Sequence, residues 1–205
     1  LPASLEGDIL TFIEATSSPI AVRSSSLLED SHYQPFAGIY NTYMVPLLDN
    51  RHRMLSMLCD AIKGVYASVF FKDSKAYMQA TRNVIDEEKM AVVLQEVVGR
   101  RYGDHFYPNI SGVGRSLNYY PLDDERAEEG TVSLALGLGK YIVDGGRTLR
   151  VCPAHPARVL QTSDTEMALR ETQTRFYALD LKNLGENFSV DDGFNLLRLP
   201  VKTAD

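Results

Sequence analysis

In the stretch PIAVRSSSLLED, residues 19–30, an apolar run ends on a fixed cation and passes straight into three hydroxyl residues. Arg23 carries a permanent charge and a planar fork of N–H donors, which grips phosphate oxygens through two parallel hydrogen bonds. Ser24, Ser25 and Ser26 set hydroxyls and backbone N–H groups beside it. The combination suits an oxyanion. A structural reading is also open, in which Arg23 closes a strand and pairs with Glu29 or Asp30.

Glycines recur where a backbone would need to approach a ligand closely: PFAG at 35–38, SGVG at 111–114, GLG at 137–139 and GG at 145–146. None matches GxGxxG or GxxxxGK[ST], so each is weak alone and together they favour a nucleotide cleft only mildly. The run AVVLQEVV breaks its apolar character at Gln95 and Glu96. A hinge strand offering backbone N–H and C=O to an adenine edge would explain that polar pair, and so would a solvated edge. His32, His52, His105 and His155 are scattered, with no HxH or HxxxH pair to hold a metal. No Ser/His/Asp or Cys/His arrangement can be argued from spacing. Cys59 and Cys152 form no CxxC and suggest no disulfide framework, which fits two thiols in a reducing cytoplasm.

These residues need elements to hold them. Leu5, Ile9, Leu10 and Ile13 recur at helical spacing after Pro2. PIAVRSS reads as a short strand, and another is expected near Tyr40–Met44 after the Pro35–Gly38 loop. From Arg51 to Thr81 the apolar pattern is helical, with Gly64 as a point of interruption. KMAVVLQEVV reads as a buried strand. Further strands are expected in NISGVGRSLNYYP, TVSLALGLG and GRTLRVCP, with DDERAEEG as a charged loop. TEMALRETQTRFYALDLKNL reads as one helix capped by Thr165 or Ser163. Strands and helices mix without strict alternation, so the expected class is α+β.

The chain of 205 residues is 44% hydrophobic, a globular composition long enough for one core or two lobes. A net charge of −6 argues against broad nucleic-acid binding, which needs clustered cations. No apolar run approaches the roughly 18 residues of a membrane helix. The acids in LPASLEGDILTF argue against a signal peptide. The missing initiator methionine and the abrupt end at LPVKTAD suggest a piece of a longer protein.

The motifs carry a family resemblance. IAVRSSSLLED…PFAGIYNTYMV resembles the phosphoenolpyruvate synthase segment VAVRSSATAED…SFAGQQETFLNV. AVVLQEVV…SGVGRSLNYYP is similar to AVVVQKMV…SGVMFTRDP, GLGKYIVDGG to GLGEMVVQG, and YASVFFKDSKAY to ASLFTDRAISY. Order and spacing agree over about residues 5–155, and 156–205 look divergent or inserted. The resembled family is the N-terminal nucleotide-binding domain of phosphoenolpyruvate synthase and pyruvate phosphate dikinase. The resemblance implies an ATP-grasp fold, incomplete at both ends here, with ATP held between two α+β lobes. It also implies Mg²⁺ bridging the phosphates and transfer, by way of a pyrophosphoryl intermediate, to a histidine on a swivelling domain. A pyruvate-phosphorylating barrel would follow in the same polypeptide.

By the same resemblance Arg23 and Ser24 contact phosphates, Gly38 and Thr42 lie in the loop that closes over them, and Gln95, Glu96 and Val98 border adenine. Ser111 and Gly112 fall on the next turn. The family arginine of DRA is Asp73 here, leaving Lys72 or Lys75 as stand-ins, and the glutamate of GLGE is Lys140, a further candidate phosphate contact. The family's metal-binding acids lie outside the resembled stretch. The alternative to a phosphotransferase is therefore a degenerate module that senses nucleotide or docks partners.

Overall fold

The computed structural model describes residues 1–26, 40–81, 89–182 and 196–204. They form an α+β fold with antiparallel sheets flanked by helices. The chain divides into two compact units, Leu1–Val98 with Leu179–Leu196, and Gly99–Ala178 with Leu197–Asp205.

In the first unit, helix α1 (Ala3–Ala15) precedes strand β1 (Ile20–Ser26). Strand β2 (Tyr43–Val45) leads to helices α2 (Arg51–Ser68) and α3 (Lys72–Thr81), and strand β3 (Met90–Glu96) closes the unit. The sheet order is β2-β1-β3, antiparallel throughout. Strand alternation sends Ile20, Val22, Tyr43 and Val45 to one face. There they pack against Ile9 and Ile13 of α1 and Met54, Leu58 and Val65 of α2. Met90, Val92 and Leu94 of β3 join the same core. Asn50 caps α2 by accepting the Arg53 N–H at 3.0 Å.

Three expectations are corrected here. Gly64 does not interrupt α2 but lies inside it, where a Cβ would meet the Tyr43 ring at 2.8 Å. The break comes instead at 69–71, where the Phe70 and Phe71 N–H groups return to the carbonyls of Ala67 and Ser68. The Ser74 hydroxyl then donates to the Ser68 carbonyl at 2.7 Å. Strand β3 is not buried on both faces: Ala91, Val93, Gln95 and Glu96 are exposed while Met90, Val92 and Leu94 are half-buried. The stretch Arg51–Gln79 also holds a window apolar enough to cross a membrane by composition, though Asp60 and Lys63 interrupt any unbroken run. Since 56% of that window is buried, it serves as a core helix.

The second unit holds a hairpin, β4 (Arg100–Tyr102) and β5 (His105–Tyr107), which the apolar pattern did not signal because each strand has three residues. Strands β6 (Ser111–Arg115), β7 (Thr131–Ala135) and β8 (Leu149–Val151) form a sheet in chain order. Helix α4 (Lys140–Val143) follows β7. The single helix expected over TEMALRETQTRFYALDLKNL is instead helix α5 (Thr165–Glu171), capped by Asp164, and strand β9 (Arg175–Asp180). The Gln173 side chain marks the change: it accepts the Leu136 N–H at 2.8 Å and donates to the Leu136 carbonyl at 3.0 Å. Tertiary bonding there outweighs helical periodicity. Strand β10 (Leu196–Pro200) completes the order β10-β9-β5-β4. Phe176 and Ala178 pack with Tyr107, whose ring stacks on Tyr102 at 4.4 Å.

Candidate functional site

The sheet β2-β1-β3 has one face in the core and one turned away from it. Period-two alternation puts Ala21, Arg23 and Ser25 of β1 on the second face, with Met44 of β2 and Ala91, Val93 and Gln95 of β3. Arg23 is exposed and makes no hydrogen bond or ion pair with any described residue. Its Cα partner is Val93, so Gln95 is a diagonal neighbour at about 7–8 Å. The result is a face of four apolar side chains, of which Ala21 is buried, with an amide, a hydroxyl and a guanidinium that has no partner among the described residues.

Ser24 stands elsewhere. It is buried on the core side of β1 with Ser26, so Ser25 rather than Ser24 shares the side of Arg23. That is legible from strand alternation alone. Glu96 turns back to the α1–β1 junction, where its Oε1 accepts the Ser17 N–H at 2.8 Å and the Ser17 hydroxyl at 3.0 Å. The Ser17 backbone N–H, with the hydroxyl adding to it, holds the Glu96 carboxyl below the usual glutamate range. Val98 is 84% exposed. Thr42 is half-buried just before β2. Gly38, like Glu29 and Asp30, lies outside the described residues.

The open edge of β3 has a definite polarity. The Val97 N–H donates to the Pro19 carbonyl at 2.8 Å, continuing the register in which Gln95 faces Ala21 and Val93 faces Arg23. Antiparallel pairs alternate between bonded and unbonded, so the backbone groups of Val92, Leu94 and Glu96 turn away from β1. Among the described residues no strand pairs with that edge.

On α3, Lys72, Lys75, Ala76 and Gln79 line a depression of about 500 Å³ beside Phe70. Asp73 lies off this face, one residue round the helix from Lys72.

In the second unit the Ser111 hydroxyl donates to the Gly137 carbonyl at 2.6 Å, tying the start of β6 to the turn before α4. Gly112 faces Leu134 across the β6–β7 pair. Lys140, which opens α4, is held by Asp144 at 3.0 Å. Among the described residues no group of three or more His, Cys, Asp or Glu is placed to hold a metal ion.

The family model for the pyruvate phosphate dikinase AMP/ATP-binding domain matches residues 1–190. A Bacillus subtilis (strain 168) protein described as the uncharacterized phosphotransferase YvkC is 32% identical over 129 residues, 63% of this chain. The matched stretch spans 14% of that protein's length. An antiparallel α+β unit whose Arg23 has no partner among the described residues is compatible with a nucleotide phosphate. With the match over 1–190, the chain belongs to the pyruvate phosphate dikinase AMP/ATP-binding domain family.

Proposed function

We propose that this chain binds ATP on the outer face and open edge of β2-β1-β3, and does so as the nucleotide-binding part of a longer phosphotransferase of ATP-grasp type. The observation that carries the reading is Arg23, exposed and without a partner among the described residues, one diagonal step from Gln95. Its guanidinium neutralises phosphate oxygens through charge-assisted hydrogen bonds, and Ser25 adds a hydroxyl on the same side. Ala91 and Val93 offer apolar surface to a base, and the outward carbonyl of Glu96 offers its edge an acceptor. Lys72 and Lys75 are further cations of the same unit for phosphate contact. Lys140 and the Ser111 hydroxyl are already bonded, to Asp144 and Gly137, and do not enter the reading.

The described residues do not fit a protein-held Mg²⁺, and no step is assigned to one. ATP brings the phosphoryl group, and this chain's residues hold and neutralise it. The acceptor in this reading is a histidine on another part of the longer protein. Calorimetric titration of ATP into the chain and into Arg23→Ala tests the site. The variant should lose roughly 1.5–3 kcal/mol of binding free energy, the range for a hydrogen bond to a charged group. Unchanged affinity would return Arg23 to a structural role.

A second reading, nucleotide sensing without transfer, is favoured by Asp73, an acid in the first turn of α3 where phosphate contact would want a cation. Incubating the full-length protein with γ- or β-labelled ATP separates the two. Acid-labile, alkali-stable label on the protein supports transfer to histidine, and its absence with intact ATP binding supports sensing.

A further inference from the structure

The second unit contains a cavity of about 310 Å³ that the nucleotide reading does not use. Its lining includes Thr131, which pairs with Arg115 at one end of β7, whereas Ser111 pairs with Ala135 at the other end. Four steps of strand separate the two ends, about 13 Å. The cavity is thus distinct from the Ser111–Gly137 turn.

Its wall holds two opposite charges with one amide between them. Arg150 donates from Nε to the Thr131 hydroxyl at 3.3 Å, and from Nη2 to Asn118 Oδ1 and to the Tyr120 carbonyl, the latter at 3.2 Å. Asn118 Nδ2 donates in turn to Glu125 Oε2 at 3.1 Å, and the Leu122 N–H donates to the same oxygen at 3.0 Å. Asn118 is 1% exposed and Glu125 9%. Each ion is thereby fixed, and each keeps one group unengaged. Arg150 Nη1 and Glu125 Oε1 have no hydrogen bond with any described residue. Both keep accessible surface: among the described residues, the buried side-chain atoms that are sealed and unpartnered are Tyr40 Oη and Gln161 Oε1.

The lining is neutral overall. Arg158 is tied to Asp124 and Arg170 to Glu171, which leaves Arg150 against Glu125. Hydrogen bonds of about 3 Å on both sides of an amide about 2.3 Å wide hold those two ions no more than about 8 Å apart. A carboxylate and an ammonium on one carbon, each with its own hydrogen bond, cover about the same span. Leu122, Leu160 and Met167 supply apolar lining.

We infer that this cavity binds a free α-amino acid with an apolar side chain, as the zwitterion. The carboxylate takes the Arg150 Nη1 donors, the ammonium donates to Glu125 Oε1, and the side chain lies on Leu160 and Met167. A zwitterion brings no net charge into a neutral lining. A simple anion would leave the buried Glu125 unpaired and repelled, and a simple cation would do the same to Arg150. An ion left without its partner in a site largely closed from water is costly, so the site selects a ligand that carries both charges.

The test is calorimetric titration of L-leucine, 4-methylpentanoate and 3-methylbutylamine into the whole chain. The second lacks the amino group of leucine and the third its carboxylate. Leucine should bind at least about tenfold more tightly than either. In Glu125→Gln the amide oxygen can keep the bonds to Asn118 and Leu122 while the NH₂ group faces the ligand. That variant should bind 4-methylpentanoate more tightly than leucine, a reversal that a purely structural Glu125 would not produce. An unchanged preference for leucine in Glu125→Gln overturns the proposal. If the variant fails to fold, the three affinities of the unaltered chain decide alone. There, binding of either analogue as tightly as leucine overturns the proposal. So does binding of none of the three at about 10 mM, the weak limit for a built site. No ATP enters the titration, so its outcome is independent of the nucleotide reading.

Discussion

Glu96, the last residue of β3, reaches Ser17 across the α1–β1 junction and accepts both its N–H and its hydroxyl through one carboxylate oxygen. The contact joins residues 79 apart in sequence. It anchors the end of the strand whose outward backbone groups are proposed to meet the base.

A pH dependence follows from it. The folded state holds the Glu96 carboxyl below its ordinary value, chiefly through the Ser17 N–H. A group depressed in this way contributes stability that is present above its unfolded pKa and is lost as pH falls through the folded one. Glu96→Gln should therefore be less stable than the parent at pH 7, with the gap closing under acid conditions below the usual glutamate range. Denaturant midpoints across that range check it, and a gap of constant size would sink the argument.

Val93→Asp places a carboxylate directly across the β1–β3 pair from Arg23. Opposite charges at facing positions attract, by about 0.2–1 kcal/mol. The fold should be retained or slightly stabilised while ATP binding falls by at least as much as in Arg23→Ala. Thermal melts and titration together separate loss of the site from loss of the fold. Undiminished ATP binding would remove the outer sheet face from the proposal.

Gly64→Ala would drive a methyl group into the Tyr43 ring at 2.8 Å, where both residues are buried in the first unit's core. Overpacking of this kind costs about 1–3 kcal/mol. A denaturation midpoint equal to the parent's would show that the Tyr43 ring yields freely.

Gly137→Ala meets two obstacles. The position has φ of +84°, and a Cβ would lie 2.6 Å from the Tyr177 carbonyl oxygen. Strain at such a residue costs about 1–3 kcal/mol before the clash is counted. Because the Gly137 carbonyl also accepts the Ser111 hydroxyl, the variant should loosen the start of β6. Amide chemical shifts at 111–115 would report it, and unperturbed shifts would contradict it.

Most helices and long strands were legible because their apolar periods agree with what they bury. Ile9 and Ile13 face the core at helical spacing, as do Leu58, Ile62 and Val65. RFYALD was not legible: an amphipathic helix continues into it in sequence, and only the Gln173–Leu136 bonds and the packing of Phe176 and Ala178 decide for a strand. The candidate site was half legible. Arg23 and Gln95 stood out by type, and alternation alone would have preferred Ser25 to Ser24. The Glu96–Ser17 contact and the Arg150 bonds are long-range, and neither has a local signature. In TEMALRETQ the cap falls on Asp164, between the two residues named from sequence, because its carboxylate accepts the Met167 N–H at 2.8 Å.

The alternation of backbone bonding along β3 has a consequence for deuterium exchange. Amides at 91, 93, 95 and 97 are engaged by the preceding strand and its entry, so they should retain their protons far longer than those at 92, 94 and 96. Whatever occupies that edge will be recorded as slowed exchange at the even-numbered positions. The strand thus carries its own labelled ruler, readable by mass spectrometry without altering a residue.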